Sequence, residues 1–422
     1  MEKHVVVIGG GFAGINLIQK LKKAPCRITL IDRMNSHIFQ PLLYQVATAS
    51  LSESSISKPL REIFKDQNNV EVRMGFVVQV DRQHKKILLH DGHELFYDEL
   101  VIATGARHSY FGNPHYEALA PGLKTLEDAY KIKQKLLLAF ERAEKAQNFE
   151  ELMEHMVFVV IGGGPTGVEL AGSIAELKND TLKKNFRHID PKKARVLLLE
   201  GFPEVLPAYP EPLRKRAHQD LVSLGVEVLT NTKVTNVLPN GVETEKGFYP
   251  AEAVIWAAGN EASPLLKSLH TELDRQGRAI VGPYLHLPED PHVFVIGDAS
   301  HFKGSEGSPL PGIAPVAIQM GAYVGNFLKK KTQGQKDPKP FSYFDKGMMA
   351  TIGSYKAVAV SGKLQLQGFI AWLAWLLIHL VYLVSFRNRL VVALDWIVHY
   401  LTGRTRTNRV ILKPIEELEK EN

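Results

Sequence analysis

Two glycine-rich turns, about 150 residues apart, constrain this chain more than any other feature. The first follows Val5-Val6-Val7-Ile8 and reads Gly9-Gly10-Gly11-Phe12-Ala13-Gly14. The second follows Val157-Phe158-Val159-Val160-Ile161 and reads Gly162-Gly163-Gly164-Pro165-Thr166-Gly167. Each leads to a further apolar run that ends on an acid: Arg27-Ile28-Thr29-Leu30-Ile31 closes on Asp32, and Arg195-Val196-Leu197-Leu198-Leu199 closes on Glu200. A buried strand, a glycine turn and a helix bring backbone N–H groups against a pyrophosphate, and an acid ending the next strand receives a ribose hydroxyl. One such turn could serve a lone phosphate or no ligand at all. Two complete sets imply two dinucleotides in one chain, an electron donor and an electron acceptor.

Glu200 would repel a 2′-phosphate, and Gly201 and Phe202 offer it no basic neighbour, so the second turn is expected to take NADH in preference to NADPH. Glu200 lies 33 residues after Gly167, against about 20 in the usual fingerprint. The polar stretch Lys178 to Ala194 reads as an insertion that makes up the excess.

The 422 residues are enough for two or three domains, and 45% apolar and 23% charged residues are ordinary for a globular protein. The single cysteine, Cys26, excludes an internal disulfide or a redox-active cysteine pair and disfavours persulfide chemistry; packing at a strand start is its expected role. The histidines show no metal-ligand spacing, so no metal is expected, and His108 and His115 read as loop residues. The chain enters its first strand at once, with no leader expected. Between Arg387 and Lys413 stand six Lys/Arg and one Asp, a local charge of +5 within a net +6. Without aromatic–basic interleaving, that excess points to a membrane surface and not to nucleic acid.

The expected architecture is α/β: two Rossmann-like dinucleotide-binding domains, the second inserted in the first, followed by C-terminal amphipathic helices that anchor to a membrane. Residues 1–125 form the first part of an FAD-binding domain, 126–284 an NAD-binding domain, 285–340 the return segment and 341–422 the membrane-association region. The return strand Val293-Phe294-Val295-Ile296 runs into Gly297-Asp298, where glycine permits close approach and the acid can bind the ribityl or pyrophosphate side of FAD. Gly-Asp also suits an ordinary strand-ending turn. Ala103-Thr104-Gly105 and Ala258-Gly259 end strands in the same way in the two halves.

Phe369 to Phe386 (FIAWLAWLLIHLVYLVSF) just reaches the length of a membrane-spanning helix. Trp372, Trp375, His379, Tyr382 and Phe386 fall at steps of three and four, so one helical face is expected at the headgroup level, flanked by Arg387, Arg389, Arg404, Arg406 and Arg409. Two helices lying in one leaflet are favoured over a spanning hairpin; a core or dimer helix stays open. Deleting the chain from Gly368 onward is expected to leave a more soluble protein that still holds both nucleotides.

With these residues in hand, the chain resembles the type II NADH dehydrogenases, single-subunit NADH:quinone oxidoreductases of the two-dinucleotide flavoprotein superfamily. The likeness covers nearly the whole chain and rests on both glycine turns, Pro41-Leu42-Leu43-Tyr44-Gln45-Val46-Ala47-Thr48, Val168-Glu169-Leu170-Ala171, Gly297-Asp298, Ala350-Thr351-Ile352-Gly353 and the Trp372, Trp375, His379 tail. The resemblance implies non-covalent FAD held by Gly9, Gly11, Phe12, Ala13, Gly14, Asp32, Arg33, Ala103, Thr104, Gly105, Gly297 and Asp298. It implies NADH held by Gly162, Gly164, Pro165, Thr166, Gly167, Glu169, Glu200, Ala258 and Gly259. A membrane quinone, ubiquinone or menaquinone, would meet Pro315, Ile318 and Gln319. The family's quinone motif carries glutamine where Pro315 stands, and proline cannot donate a hydrogen bond there. Glu169 and Gln319 are the candidate catalytic residues. Glu169 either orders the nicotinamide or relays protons, or it is simply an acid in the first turn of a helix, stabilised by the dipole. The localisation implied is peripheral, at the cytoplasmic face of the cell membrane, with a homodimer open. No multi-helix ion pathway is visible, so proton pumping is not expected. Two other readings stand: a soluble NADH:ferredoxin or rubredoxin reductase, which would not need residues 369–401, and a membrane-associated redox sensor that binds NADH without much turnover.

Overall fold

The computed structural model describes residues 2–183, 185–304, 307–336, 338–402 and 409–411. The chain forms two compact units. The first contains Met1–Ile38, Ser57–Arg107 and Asn260–Lys346; the second contains Phe39–Ile56, His108–Gly259 and Gly347–Asn422.

The first unit is organised by continuous apolar runs that can only be strands covered on both faces. Lys3–Ile8, Cys26–Asp32, Val70–Met74, Glu99–Ile102 and Asp290–Val295 lie parallel, in the order 290–295, 99–102, 3–8, 26–32, 70–74, and His286–Leu287 adds an antiparallel edge. Val5, Val6 and Val7 are fully buried, as is Cys26 at its strand start. Ile8 pairs with both Ile31 and Ile102, and Ile102 with Val295. The register therefore lines up Gly9, Asp32, Ala103 and Ile296 along the carboxyl ends of four strands, where open α/β sheets bind ligands. The return of Asp290–Val295 into this sheet, after the whole of the second sheet has been built, is the insertion expected from sequence.

Helix Phe12–Lys20 packs along helix Ala314–Thr332 at very short range. A Cβ at Gly321 would overlap the Ala13 carbonyl, and one at Gly325 would fall 2.6 Å from the Leu17 carbonyl oxygen. Only glycine allows this approach, and it fixes the first turn of the later helix beside the first glycine turn.

The second unit repeats the plan. Val226–Leu229, Arg195–Leu199, Val157–Ile161 and Ala253–Trp256 form a parallel sheet in that order, with Ile161 paired to both Leu199 and Trp256. A three-stranded antiparallel sheet accompanies each: 77–81, 86–89 and 94–96 in the first unit, 234–238, 241–244 and 247–250 in the second. The expected insertion lies between helix Pro165–Glu176 and strand Arg195–Leu199. It begins with a π turn at Leu177–Thr181 and ends with a 3-10 turn at Pro191–Lys193.

The C-terminal part of this unit is a three-stranded antiparallel sheet, Met348–Thr351, Ala357–Ser361 and Leu364–Gln367, followed by helices Gly368–Tyr382 and Phe386–Thr402. No helix among the described residues is long and apolar enough to cross a membrane. The tail helix breaks at Leu383–Ser385; of the residues expected on its outward face Phe386 is exposed, whereas the two tryptophans turn inward. Trp372 and Trp375 are buried at 5% and 1% exposure, the former against Ala357 and Ala359. The outward residues are Ile370, Leu373, Leu377 and Val381. The small side chains on the strand leave room for the Trp372 indole, which removes more apolar area from water than any aliphatic residue could. Arg404 and Arg406 lie outside the described residues.

Candidate functional site

Each unit carries one glycine-turn cradle of a shape that could hold a nucleotide. In the first, Gly9 has φ +109°, and a Cβ there would overlap the Ala103 carbonyl; a Cβ at Gly14 would overlap the Gly9 carbonyl. At Gly11 a Cβ would meet nothing within 4 Å. The turn is thus closed towards protein at Gly9 and Gly14 and open at Gly11, which also precedes the first helical turn. That is the geometry a pyrophosphate needs to reach helix N–H groups.

Asp32 ends its strand with both oxygens engaged. Oδ2 accepts from the Gly10 N–H (2.6 Å) and Oδ1 from the Met34 N–H (2.7 Å). Burial raises its pKa, and those two bonds oppose the rise. Each oxygen keeps a lone pair for a ribose hydroxyl. Arg33 beside it is exposed. His37, which sequence reading passed over, lies behind the turn. Its Nδ1 is 3.2 Å from the Gly10 carbonyl, its ring meets Phe12 edge-on at 5.0 Å, and burial drives its pKa down to about 4, so the ring is neutral.

Gly297 (φ +69°) completes this cradle: a Cβ on it would stand 3.5 Å from the β-carbons of Ala13 and Ala317. The Asp298 carboxylate faces Gly312, just ahead of helix Ala314–Thr332. The buried Thr104 hydroxyl, next to Ala103, has no partner among the described residues. An open Gly11, an unsatisfied hydroxyl and a glycine wedged between two helix starts fit a bound dinucleotide.

The same helix start carries Pro315, Ile318 and Gln319, so the expected quinone motif stands beside the first cradle through the Gly297–Ala317 approach. Pro315 occupies the first turn of the helix, where a backbone N–H has no intrahelical partner, so proline is tolerated there without the loss of a bond. Gln319 is not idle. Its Nε2 donates to the Phe344 carbonyl (2.9 Å) and its Oε1 accepts from the Phe344 N–H (3.0 Å).

The second cradle is nearly superposable in logic. Gly162 has φ +105°, with a Cβ position 2.9 Å from the Ala257 carbonyl and the Ala258 nitrogen; Gly167 would overlap the Gly162 carbonyl; Gly164 faces open space. Glu200 Oε2 accepts from the Gly163 N–H (2.5 Å) and Oε1 from the Phe202 N–H (2.8 Å). Pro165 and Thr166, at the helix start, are exposed. Gly259 (φ +76°) is covered by the ring of Phe111, itself 66% exposed and unflagged by the sequence.

Glu169 is the fifth residue of helix Pro165–Glu176, not in its first turn, so the dipole explanation fails: that field fades within one turn and would lower the pKa. Burial instead pushes Glu169 up to about 8. Its Oε1 accepts from the Thr351 N–H at 3.4 Å. The hydroxyls of Tyr44 and Tyr209 are close enough for its charge to raise their pKa values beyond what burial already does. Tyr44 bonds to Thr351 Oγ1 (2.9 Å) and to Gln45 Nε2 (3.0 Å). These partners lie in two segments the sequence marked only by resemblance, and their joining across more than three hundred residues left no local signal.

Compared with known proteins, residues 3–321 match the family model described as pyridine nucleotide-disulphide oxidoreductase, and residues 346–405 match an NDH2 C-terminal domain. A type II NADH:quinone oxidoreductase from Mycobacterium tuberculosis is 43% identical over 415 residues, 95% of this chain and 89% of the relative. The external NADH-ubiquinone oxidoreductase 2 of Saccharomyces cerevisiae mitochondria is 29% identical over 96% of this chain and 82% of its own length. Among solved structures, an NDH2 from Plasmodium falciparum in complex with NADH has the same fold, with TM-score 0.87 at 22% identity, covering 96% of this chain and 100% of that one.

Proposed function

The chain belongs to the pyridine nucleotide-disulphide oxidoreductase family, in its type II NADH:quinone oxidoreductase branch, and from that membership we propose how its residues divide the work. The protein oxidises NADH and passes two electrons through FAD to a quinone. Bound FAD supplies the redox chemistry, since a flavin accepts electrons as a pair and can return them to a quinone.

FAD is assigned to the Gly9–Gly14 cradle with Asp32, Thr104, Gly297 and Asp298, in segments 1–125 and 285–340; NADH is assigned to the Gly162–Gly167 cradle with Glu200, in 126–284. The observation that carries this is the pair of acid-clamped glycine turns, each open at one glycine. Glu169, protonated at neutral pH because of its burial, is the group suited to hold and move a proton. Pro315, Ile318 and Gln319, packed next to the first cradle, are assigned to the quinone head group.

The exposed row Ile370, Leu373, Leu377 and Val381, continued on the next helix by Leu390, Leu394 and Ile397, supports docking into one leaflet of the cytoplasmic membrane face, with Arg387 and Arg389 at the headgroups. A homodimer through this row is the competing use; mass measurement in detergent separates the two. The function is tested by stopped flow. NADH should bleach the flavin rapidly, and a short-chain quinone, not ferredoxin, should restore its colour. Bleaching without reoxidation by any quinone would defeat the assignment.

A further inference from the structure

Each acid that ends a strand also holds the backbone of the residue two positions on, and in both units that residue turns a large apolar side chain to solvent. Asp32 Oδ1 accepts from the Met34 N–H (2.7 Å) and Glu200 Oε1 from the Phe202 N–H (2.8 Å). Met34 is 42% exposed and Phe202 65%. The main-chain carbonyls of the two acids are bound alike, by the Gly75 N–H (2.8 Å) and the Thr232 N–H (2.9 Å), each just past the neighbouring strand. A single exposed apolar side chain is ordinary. The same exposure at the same place in two separate cradles asks for a common use. Phe202 is pinned on both sides: its N–H by Glu200, and its carbonyl by the Asn231 N–H (3.0 Å). A Cβ at Gly201 would meet nothing within 4 Å, so the turn is open there.

Strand order says what belongs beside that ring. The second sheet runs 226–229, 195–199, 157–161, 253–256. A diphosphate on the glycine turn sits at the end of 157–161, and a ribose on Glu200 sits one strand over, at the end of 195–199. The sugar carries the diphosphate on one side and the base on the other. The base therefore lies farther along the same line, outside Glu200 and towards 226–229. Gly201 and Phe202 leave one of these strands, Asn231 leaves the other, and their hydrogen bond joins them there. Glu200 can bind the ribose but offers nothing to the base. A purine is flat with apolar faces, and an aromatic ring laid against one face holds it whatever its hydrogen-bonding edge.

We propose that Phe202 is the platform on which the adenine of NADH stacks, and that it sets how tightly the enzyme holds the whole dinucleotide compared with its nicotinamide half. The platform rests on the assignment of NADH to the second cradle. The two neighbours then divide the recognition: Phe202 takes a purine ring, and Glu200 takes a ribose without a 2′-phosphate.

The test uses the FAD-loaded full chain and two probes. ADP-ribose carries adenine without nicotinamide; reduced nicotinamide mononucleotide carries nicotinamide without adenine. Phe202→Ala should weaken ADP-ribose binding, measured by titration calorimetry, by about tenfold. In anaerobic flavin reduction, kcat/KM for NADH relative to the mononucleotide should fall by a similar factor, carried by KM and not by kcat. Phe202→Tyr, which keeps the ring, should restore both. Retained FAD and thermal midpoint identify any variant that has merely unfolded. Parental ADP-ribose affinity in Phe202→Ala overturns the platform. So does an equal loss with both electron donors, which would mean that the ring acts through the fold. Glu200→Ala separates that failure from a failure of the cradle. If ADP-ribose affinity falls in Glu200→Ala and not in Phe202→Ala, only the platform is lost; if it falls in neither, the assignment of NADH to the second cradle goes with it.

Discussion

Glu200 and Asp32 each clamp the backbone of a glycine turn, and each is proposed to receive a ribose as well. Both hold the second glycine of their turn and the residue two positions beyond, so the acid that can receive a ribose also sets the shape of the phosphate loop. Glu200→Gln should therefore narrow the preference for NADH over NADPH, by on the order of 1–2 kcal/mol in relative kcat/KM, as charge repulsion on a 2′-phosphate disappears. Equal kcat/KM for the two donors in the unmutated enzyme would show that Glu200 is not at the ribose. Glu169 has the opposite character, a carboxyl that prefers to stay neutral. Its folded pKa, about 8, lies above the value for an unfolded chain. Its contribution to stability is full below the unfolded pKa and is lost as pH rises through about 8. Glu169→Gln should thus gain thermal midpoint relative to the parent between pH 5 and pH 9; parallel melting curves across that window would contradict the burial argument. Gln319→Ala should slow reoxidation of the flavin by quinone while NADH-driven reduction changes little, measured as separate half-reactions. Slowing confined to the NADH step would move Gln319 to the nicotinamide side.

At the scale of elements, the first cradle depends on two helices meeting through glycine. Gly321 and Gly325 set the distance between Phe12–Lys20 and Ala314–Thr332, and Gly297 occupies the gap at their starts. Gly321→Val would drive methyl groups into the Ala13 carbonyl, a backbone atom that cannot rotate aside. The expected cost is at least the ~1–3 kcal/mol of ordinary overpacking. It should appear as loss of FAD per chain in the purified protein before global unfolding. A variant as yellow as the parent would mean that the helix starts do not govern the cradle. Pro315 belongs to the same region, and its place in the first helical turn explains how the family's glutamine could be exchanged for proline without breaking the element that carries Gln319.

At the scale of the molecule, the C-terminal helices are part of the second unit's core and not an appendage. Trp375 is buried to 1% exposure against Tyr44 and Trp396, and Trp396 holds Gln45. Removing the chain from Gly368 onward would uncover this surface, so truncation should yield an unstable protein and not the soluble, nucleotide-binding one expected from sequence. Trp375→Ala alone should cost about 3–5 kcal/mol. Leu377→Glu, on the exposed row, should leave the thermal midpoint near that of the parent yet shift the protein from sedimented vesicles to the supernatant. Membrane retention by Leu377→Glu at parental levels would place the docking surface elsewhere.

Much of this was legible in the chain. The two strand–glycine–helix–acid sets are local patterns, readable because glycine alone tolerates φ near +105° and because buried parallel strands are apolar throughout. The strand returning into Gly297-Asp298 was equally readable, so the α/β class, the insertion and the two cradles followed from sequence. Helical spacing also revealed that Trp372, Trp375 and His379 share a face, but periodicity cannot say which way a face points. That was decided by Ala357 and Ala359, small residues on a strand that made room for the indole of Trp372. Nor could any local pattern anticipate that Tyr44 would meet Thr351, or Gln45 meet Trp396, because hydrogen bonds between segments that far apart exist only once the unit has folded. The elevated pKa of Glu169 arises the same way: desolvation is a property of its packed surroundings, not of the residue or its neighbours in sequence.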